Sequence, residues 1–537
     1  EEMLAWLYDE DRWASGAAGG LVTKDKAYRT RRLLMTVQPF TTHDDGTLTR
    51  PFDGGDARPQ TGRAIPDGSG GQLEAIDGWP FACYDVVLDA DGCLVSGRRI
   101  AADAEAKGTK WYAYEVLNLP SAWFNNQTYL DTLNPKAVRK FIEITHDRYA
   151  AVVGDEFGKT VEPNHPALGT LRFPADRRDV TLPWTDDLPE TFRAAYGEEL
   201  ADAIPELFWE LPDGRVSTAR YHFHDHVTER FTEAFSDQIG TWCDAHGIAL
   251  TGHVLSEPTL GSQTGAVGEA MRSYRGFELP GIDMLCSAKE YTTAKQAQSA
   301  AHQFGRAGVM SELYGVTGWD FDFRGHKLNG DWQAALGVTV RVPHLSWYTM
   351  KGTAKRDYPA SIHYQSTWGD QYGLVEDHFA RVNTALTRGT PDVRVGVIHP
   401  IESYWLHWGP AEQTAAVRAQ MDTNFKNITE WLLMGTIDFD FISESLLPQL
   451  CPAAGAPLQV GKMAYDVILV PGCETLRATT LDRLEAFRAA GGRVIFVGDL
   501  PTRADAVPSD RGQVLARQCE CIPFAQPVLL DALESVR

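Results

Sequence analysis

No run of about twenty apolar residues occurs in the 537-residue chain, so no membrane-spanning helix is expected. Positive charge is scarce: 50 Lys and Arg stand against 72 Asp and Glu, a formal net charge of −22. Nucleic acids and anionic membranes are held by clustered Lys and Arg, so neither is expected as a partner. The eight cysteines are scattered and show no zinc-type spacing. Cys519 and Cys521 stand too close for an easy mutual disulfide, and several others sit in apolar runs, as buried free thiols do. That pattern suits a reducing compartment, and with no secretory leader in view a cytoplasmic location is the expectation. No Gly-x-Gly-x-x-Gly follows a strand, which argues against a bound dinucleotide. No Asp-x-Asp-x-Asp-Gly loop, internal repeat or low-complexity segment is present.

What is present is ordinary globular composition, 43% hydrophobic and 23% charged, over a length suited to two to four domains. The 15 tryptophans fall largely near the ends of expected loops, where flat rings stack well on sugars.

From residue 1 to about 390, apolar strand-like runs alternate with helical segments. Leu4–Tyr8 reads as a strand, and its abrupt position implies further residues upstream. Residues 40–110 are rich in Asp, Gly and Pro and read as a small β insertion with hairpins. Trp111–Val116 reads as a return to the core. Asn134 and Pro135 mark a helix start, as N-cap and first-turn proline, for a helix through Tyr149. Helices near 219–245, 292–306 and 329–336 precede strands at Ile248–Leu255, Val309–Leu313 and Val338–Val342, with a further strand at Gly281–Leu285. Strands joined by helical crossovers form a parallel sheet, and the repeat over this length predicts an α/β fold of the (β/α)8 TIM barrel type, with its chemistry at the C-terminal strand ends. After a linker near 388–392, buried-strand runs at Arg394–His399, Tyr465–Val470 and Arg493–Gly498 predict a doubly wound α/β domain over 391–537.

Glu312 is the most informative residue. A short apolar strand delivers it into a loop holding Tyr314, Gly315, Gly318 and Trp319. Glycoside cleavage needs two carboxyl groups, one protonated and one ionised. Glu312 is the candidate ionised member and Glu162, in Glu162-Pro-Asn-His165, the candidate acid. Other strand ends contribute Asp9, Glu10, Trp13, Tyr114, His253, Glu257, Asp283, His344 and Trp347. Of these, Asp9, Glu10, His253 and Glu257 are candidates for binding sugar hydroxyls, and Trp319 and Trp347 for stacking on sugar rings; Trp13, Tyr114 and His344 also count as substrate-binding candidates, and Tyr314 would orient the nucleophile. The acids at 9–11 could alternatively take calcium, since hard cations favour clustered carboxylates; otherwise no cofactor is expected. His222, His224 and His226 would share one face on a strand but diverge on a helix, and their surroundings read as helix. Cys473 follows a strand in Pro471-Gly-Cys-Glu474 without a nearby His in sequence, which argues against a nucleophile.

Trp6–Trp13 with Ser15–Gly20, Glu162-Pro163, Gly252–Glu257 and Ser311–Gly315 resemble a bacterial glycoside hydrolase group that includes the family 106 α-L-rhamnosidases. The second region resembles the glutamine-amidotransferase-like domain that follows the barrel in family 42 β-galactosidases. There it serves assembly and site walling, which is consistent with a homo-oligomer. The resemblance implies an acid/base after barrel strand four and a nucleophile after strand seven. Counting back from Val338–Val342 as strand eight puts Glu312 on seven and Glu162 on four. Leu4–Tyr8 is then strand three, so strands one and two would lie upstream. The expected activity is removal of a terminal sugar, with retention of configuration. A calcium-dependent inverting rhamnosidase-like enzyme and a non-catalytic carbohydrate-binding relative are the alternatives.

Overall fold

The computed structural model describes residues 5–7, 16–52, 62–124, 126–157, 161–163, 179–344, 346–347, 349–351 and 362–537. Four strands, Thr251–His253, Leu279–Met284, Val309–Leu313 and Val338–Pro343, lie side by side in chain order, all parallel. Parallel neighbours cannot be joined by a tight turn. Helices Tyr291–Phe304 and Phe323–Ala335 make the second and third crossovers. The register sets Asp283 directly beside Glu312, and Glu312 beside Val342. A separate parallel pair, Ala5–Leu7 with Val161–Pro163, aligns Trp6 with Glu162. Val161–Pro163 lies next to Thr251–His253.

The expected β insertion is larger than 40–110. An eight-stranded sheet runs in the order Asp179–Trp184, Arg31–Thr36, Thr109–Leu117, Gln72–Leu88, Thr47–Pro51, Thr41–Thr42, with Arg63–Pro66 and Leu94–Ile100 also on the long central strand. Its pairings are antiparallel. Trp111–Val116 therefore belongs to this sheet and does not return to the parallel core. A buried network locks the sheet: Arg50 donates to Glu74 at 2.7 Å and to Asp179 at 3.0 Å.

The Asn134 start holds: its side chain accepts from the Lys136 N–H at 3.0 Å, and Pro135–Ile144 and His146–Val153 are helical. The helix expected at 219–245 runs from Thr218 to His246, with a π-helical stretch at Thr232–Asp237. The expected divergence holds for His224 alone: His222 and His226, one turn apart, both pack on Tyr196. His222 stacks on Tyr196 at 4.3 Å, His224 packs against Trp405 and Trp408, and His226 meets the Thr191 hydroxyl at 2.9 Å.

Toward the C-terminus, five parallel strands run in the order Phe439–Ile442, Val395–Ile398, Val467–Pro471, Arg493–Val497, Glu520–Ile522. By chain order this is 2-1-3-4-5, a doubly wound arrangement. Alternate residues bury on opposite faces: Val397, Leu469 and Ile495 on one, Ile398, Ile468 and Val494 on the other. The first face also packs Tyr221, Leu260 and Met271. The edge strand Phe439–Ile442 is covered by the helix Tyr291–Phe304. Ser299 Oγ accepts from the Phe441 N–H at 2.8 Å, and Gln303 Nε2 donates to the Phe441 carbonyl at 2.7 Å. Buried Lys295 reaches Asp438 at 2.9 Å. The helix between the Asp283 and Glu312 strands is thus bolted to the C-terminal sheet. Among the described residues no helix is long and apolar enough to cross a membrane.

Candidate functional site

The parallel strand ends converge on one carboxylate. His253 Nε2 lies 3.3 Å from Glu312 Oε2, and His344 Nε2 lies 3.3 Å from Glu312 Oε1. Each carboxylate oxygen thus has its own imidazole. His253 Nδ1 sits 2.9 Å from the Val254 carbonyl. A carbonyl only accepts, so Nδ1 carries a proton and Nε2 is left facing the carboxylate. Burial opposes charge on His253, but the Glu312 hydrogen bond and the charges of Asp283, Glu312 and Glu257 push the imidazole up to about 10. Burial would likewise raise Glu312, yet the His253 hydrogen bond and the charges of His253 and His344 hold it below the usual carboxylate value. Glu312 is 7% exposed and is an ionised carboxylate between two imidazoles.

Asp283, a strand-end acid with no role read from sequence, completes the cluster. Burial raises its carboxyl, His253 works against that, and Glu312 adds to it. The signal for it was its place in the Gly281–Leu285 run. Burial pushes Glu257, four residues beyond His253, up to about 8, against the pull of the His253 charge.

Donor atoms of His253, Asp283 and Glu312 all lie within 4.8 Å of one another, the one group among the described residues close enough to share an ion. Calcium takes six to eight oxygen ligands. One imidazole and two carboxylates fit that poorly; the His253–Glu312 ion pair joins two of the three, while Asp283 Oδ1 is buried without a hydrogen-bond partner.

Trp319 and Trp347 stand together on the loops after the Glu312 and His344 strands, 5.6 Å apart with planes at 72°. Trp319 is 49% exposed. Two expected site residues lie elsewhere. Tyr114 is buried in the antiparallel sheet against Phe40, whose N–H donates to its hydroxyl at 3.0 Å, so it faces a core and not the strand ends. Tyr314 has φ +70°, which turns its side chain back inward. Its hydroxyl donates to the His326 carbonyl at 3.1 Å and it is fully buried, so it braces the loop rather than Glu312 or a ligand. Glu162 has its backbone in the Val161–Pro163 strand, but its carboxyl lies outside the described residues, as do Asp9, Glu10 and Trp13. All eight cysteines are free. Cys473 is 1% exposed, and burial with the nearby Glu444 and Glu402 charges drives its thiol well up, which excludes a resting thiolate.

The family model described as alpha-L-rhamnosidase, glycoside hydrolase family 106, matches residues 116–520. The chain belongs to glycoside hydrolase family 106. A Formosa agariphila protein that carries the provisional name beta-glucuronidase is 22% identical over 386 residues, covering 70% of this chain and 30% of that protein. The rhamnosidase from Novosphingobium sp. PP1Y superposes with a TM-score of 0.58 at 18% identity, covering 83% of this chain and 43% of that one. An exo-carrageenase of family 42 from Bacteroides ovatus gives a TM-score of 0.50 at 12% identity, covering 76% of this chain and 59% of that one. The family 106 chain thus spans less than two thirds of each of these relatives.

Proposed function

We propose that this family 106 chain carries the catalytic face of a glycosidase that removes a terminal sugar from an oligosaccharide or glycoside. The observation that carries this reading is Glu312 at a parallel strand end, held ionised by two imidazoles. Glycoside cleavage asks for such a carboxylate beside a protonated partner.

In this reading the parallel strands belong to one (β/α)8 barrel. Ala5–Leu7 and Val161–Pro163 would be its third and fourth strands, and Thr251–His253 through Val338–Pro343 its fifth to eighth. The adjacency of Val161–Pro163 to Thr251–His253 supports that order. Glu312 then attacks the anomeric carbon as the glycosidic bond breaks, and Glu162 protonates the departing oxygen. Water, activated by Glu162, releases the sugar from Glu312 with retention. His253 and His344 keep Glu312 charged and aimed. Trp319 and Trp347 form a steeply angled aromatic corner that would stack on sugar rings.

The test is a panel of 4-nitrophenyl glycosides, beginning with the α-L-rhamnoside, with NMR of the first-formed anomer. Turnover with retained configuration supports the reading. Inversion would move Glu312 to the role of base, with a carboxyl separation of about 6.5–9.5 Å instead of about 5–5.5 Å. Binding without turnover would make the chain a carbohydrate-binding relative.

A further inference from the structure

Glu257 is 5% exposed and its Oε1 has no hydrogen-bond partner. The loop that carries it is not slack. Ser256 is held at φ +65°, and the Glu257 carbonyl accepts from two fully buried amides, Gln263 at 2.9 Å and Gln296 at 3.1 Å. Gln296 is itself fixed by His399 of the C-terminal sheet at 2.9 Å. Strained, over-determined backbone of this kind is the sort that functional sites retain.

The titratable groups facing Glu257 are His253 on the strand before it, Asp283 on the neighbouring strand, Glu290 at the head of the next helix and the Tyr274 phenol. The Tyr274 proton is committed to the Gly281 carbonyl at 2.9 Å. His253 is the one positive group among these, and it already serves Glu312. An ionised Glu257 would add a negative charge beside Asp283 and Glu290 with no donor on Oε1. A buried carboxyl so placed is more stable neutral. The two states differ in what they offer a ligand: a carboxylate only accepts, while the acid also donates.

We propose that Glu257 acts in this site as a donor, a carboxylic acid whose O–H hydrogen-bonds an oxygen of the bound sugar. This rests on the glycosidase reading for its ligand, though not for its protonation state. The role is that of a specificity-determining contact beside the Glu312 cluster. Because burial pushes this carboxyl up to about 8, the donor persists through neutral pH and is lost above it.

Glu257→Gln and Glu257→Ala test it on the 4-nitrophenyl glycoside that the wild type turns over best. Glutamine keeps an N–H donor that does not ionise. Its kcat/KM is expected within about threefold of wild type at neutral pH, without the alkaline fall near pH 8 that the proposal predicts for the wild type. Alanine is expected to lose about tenfold or more. A glutamine variant as impaired as alanine, or one that keeps the alkaline fall, overturns the proposal. A second readout needs no turnover. In infrared difference spectra of Glu257→Gln against wild type at neutral pH, the lost band should be that of a neutral carboxylic C=O. Loss of a carboxylate band overturns the proposal even in an active enzyme. Absence of wild-type turnover on every glycoside counts against the glycosidase reading and the sugar contact built on it, and the infrared result still decides whether Glu257 is a neutral acid.

Discussion

His253 and Glu312 form a pair in which each fixes the other's charge. The imidazole gives one nitrogen to the Val254 carbonyl at 2.9 Å and turns the other to the carboxylate at 3.3 Å. Two parallel strands, with the Asp283 strand between them, bring the partners together from 59 residues apart in sequence.

Removing the imidazole should move the acid limb of the pH–rate profile. His253 lowers the Glu312 carboxyl, so in His253→Gln that carboxyl rises and protonates at higher pH. The limb is expected to shift upward by about one unit or more, since an opposite charge at this range is worth about one to three. Steady-state kinetics from pH 3 upward read this directly. An unmoved limb would mean His253 does not set the charge of Glu312.

The same pair links pH to stability. His253 is raised in the folded chain, so its contribution is complete below about 6.5, the unfolded value, and fades as pH rises through about 10. Urea denaturation of wild type and His253→Gln should therefore differ most in mildly acidic buffer and converge near pH 10.

Gly315 keeps His344 in place. A Cβ there would lie 2.9 Å from Leu285 Cδ2 and 3.1 Å from His344 Nδ1. Gly315→Ala should displace the ring that holds Glu312 Oε1 and lower kcat by about tenfold or more, because small misplacements are costly in catalysis. The melting temperature should change little. A normal kcat would show that His344 tolerates the shift.

Ser299 ties the site's scaffold to the C-terminal sheet. Ser299→Ala leaves the buried Phe441 N–H without its acceptor, and a loss of about 1–3 kcal/mol in unfolding free energy is expected. Chemical denaturation checks it. An unchanged midpoint would mean water or a shifted neighbour replaces the hydroxyl.

Much of this was legible from residues alone. Glu312 is the fourth residue of the short strand Val309–Leu313, and the helix expected at 292–306 spans Tyr291–Phe304, because hydrophobic period and turn residues are local signals. Pairing partners are not local. Trp111–Val116 has the apolar content of a core strand but hydrogen-bonds antiparallel to Arg31–Thr36 and Gln72–Leu88, which carried Tyr114 away from the strand ends. Tyr314 was hidden for a different reason. The left-handed turn falls on the tyrosine, although Gly315 follows it and is the residue sequence alone would choose. Glu257 reads in sequence as one more polar loop residue. Its burial arises only when the Tyr291–Phe304 helix closes over the loop, with Gln296 reaching its carbonyl.

The central claim is that Glu312 acts as the ionised carboxylate in sugar cleavage. The most direct measurement is kcat of Glu312→Gln on the best aryl glycoside, with circular dichroism to verify the fold. Glutamine preserves shape and removes the charge. A drop of about a thousandfold or more in a folded protein is the predicted result. A Glu312→Gln variant that turns over within a few-fold of wild type would contradict it.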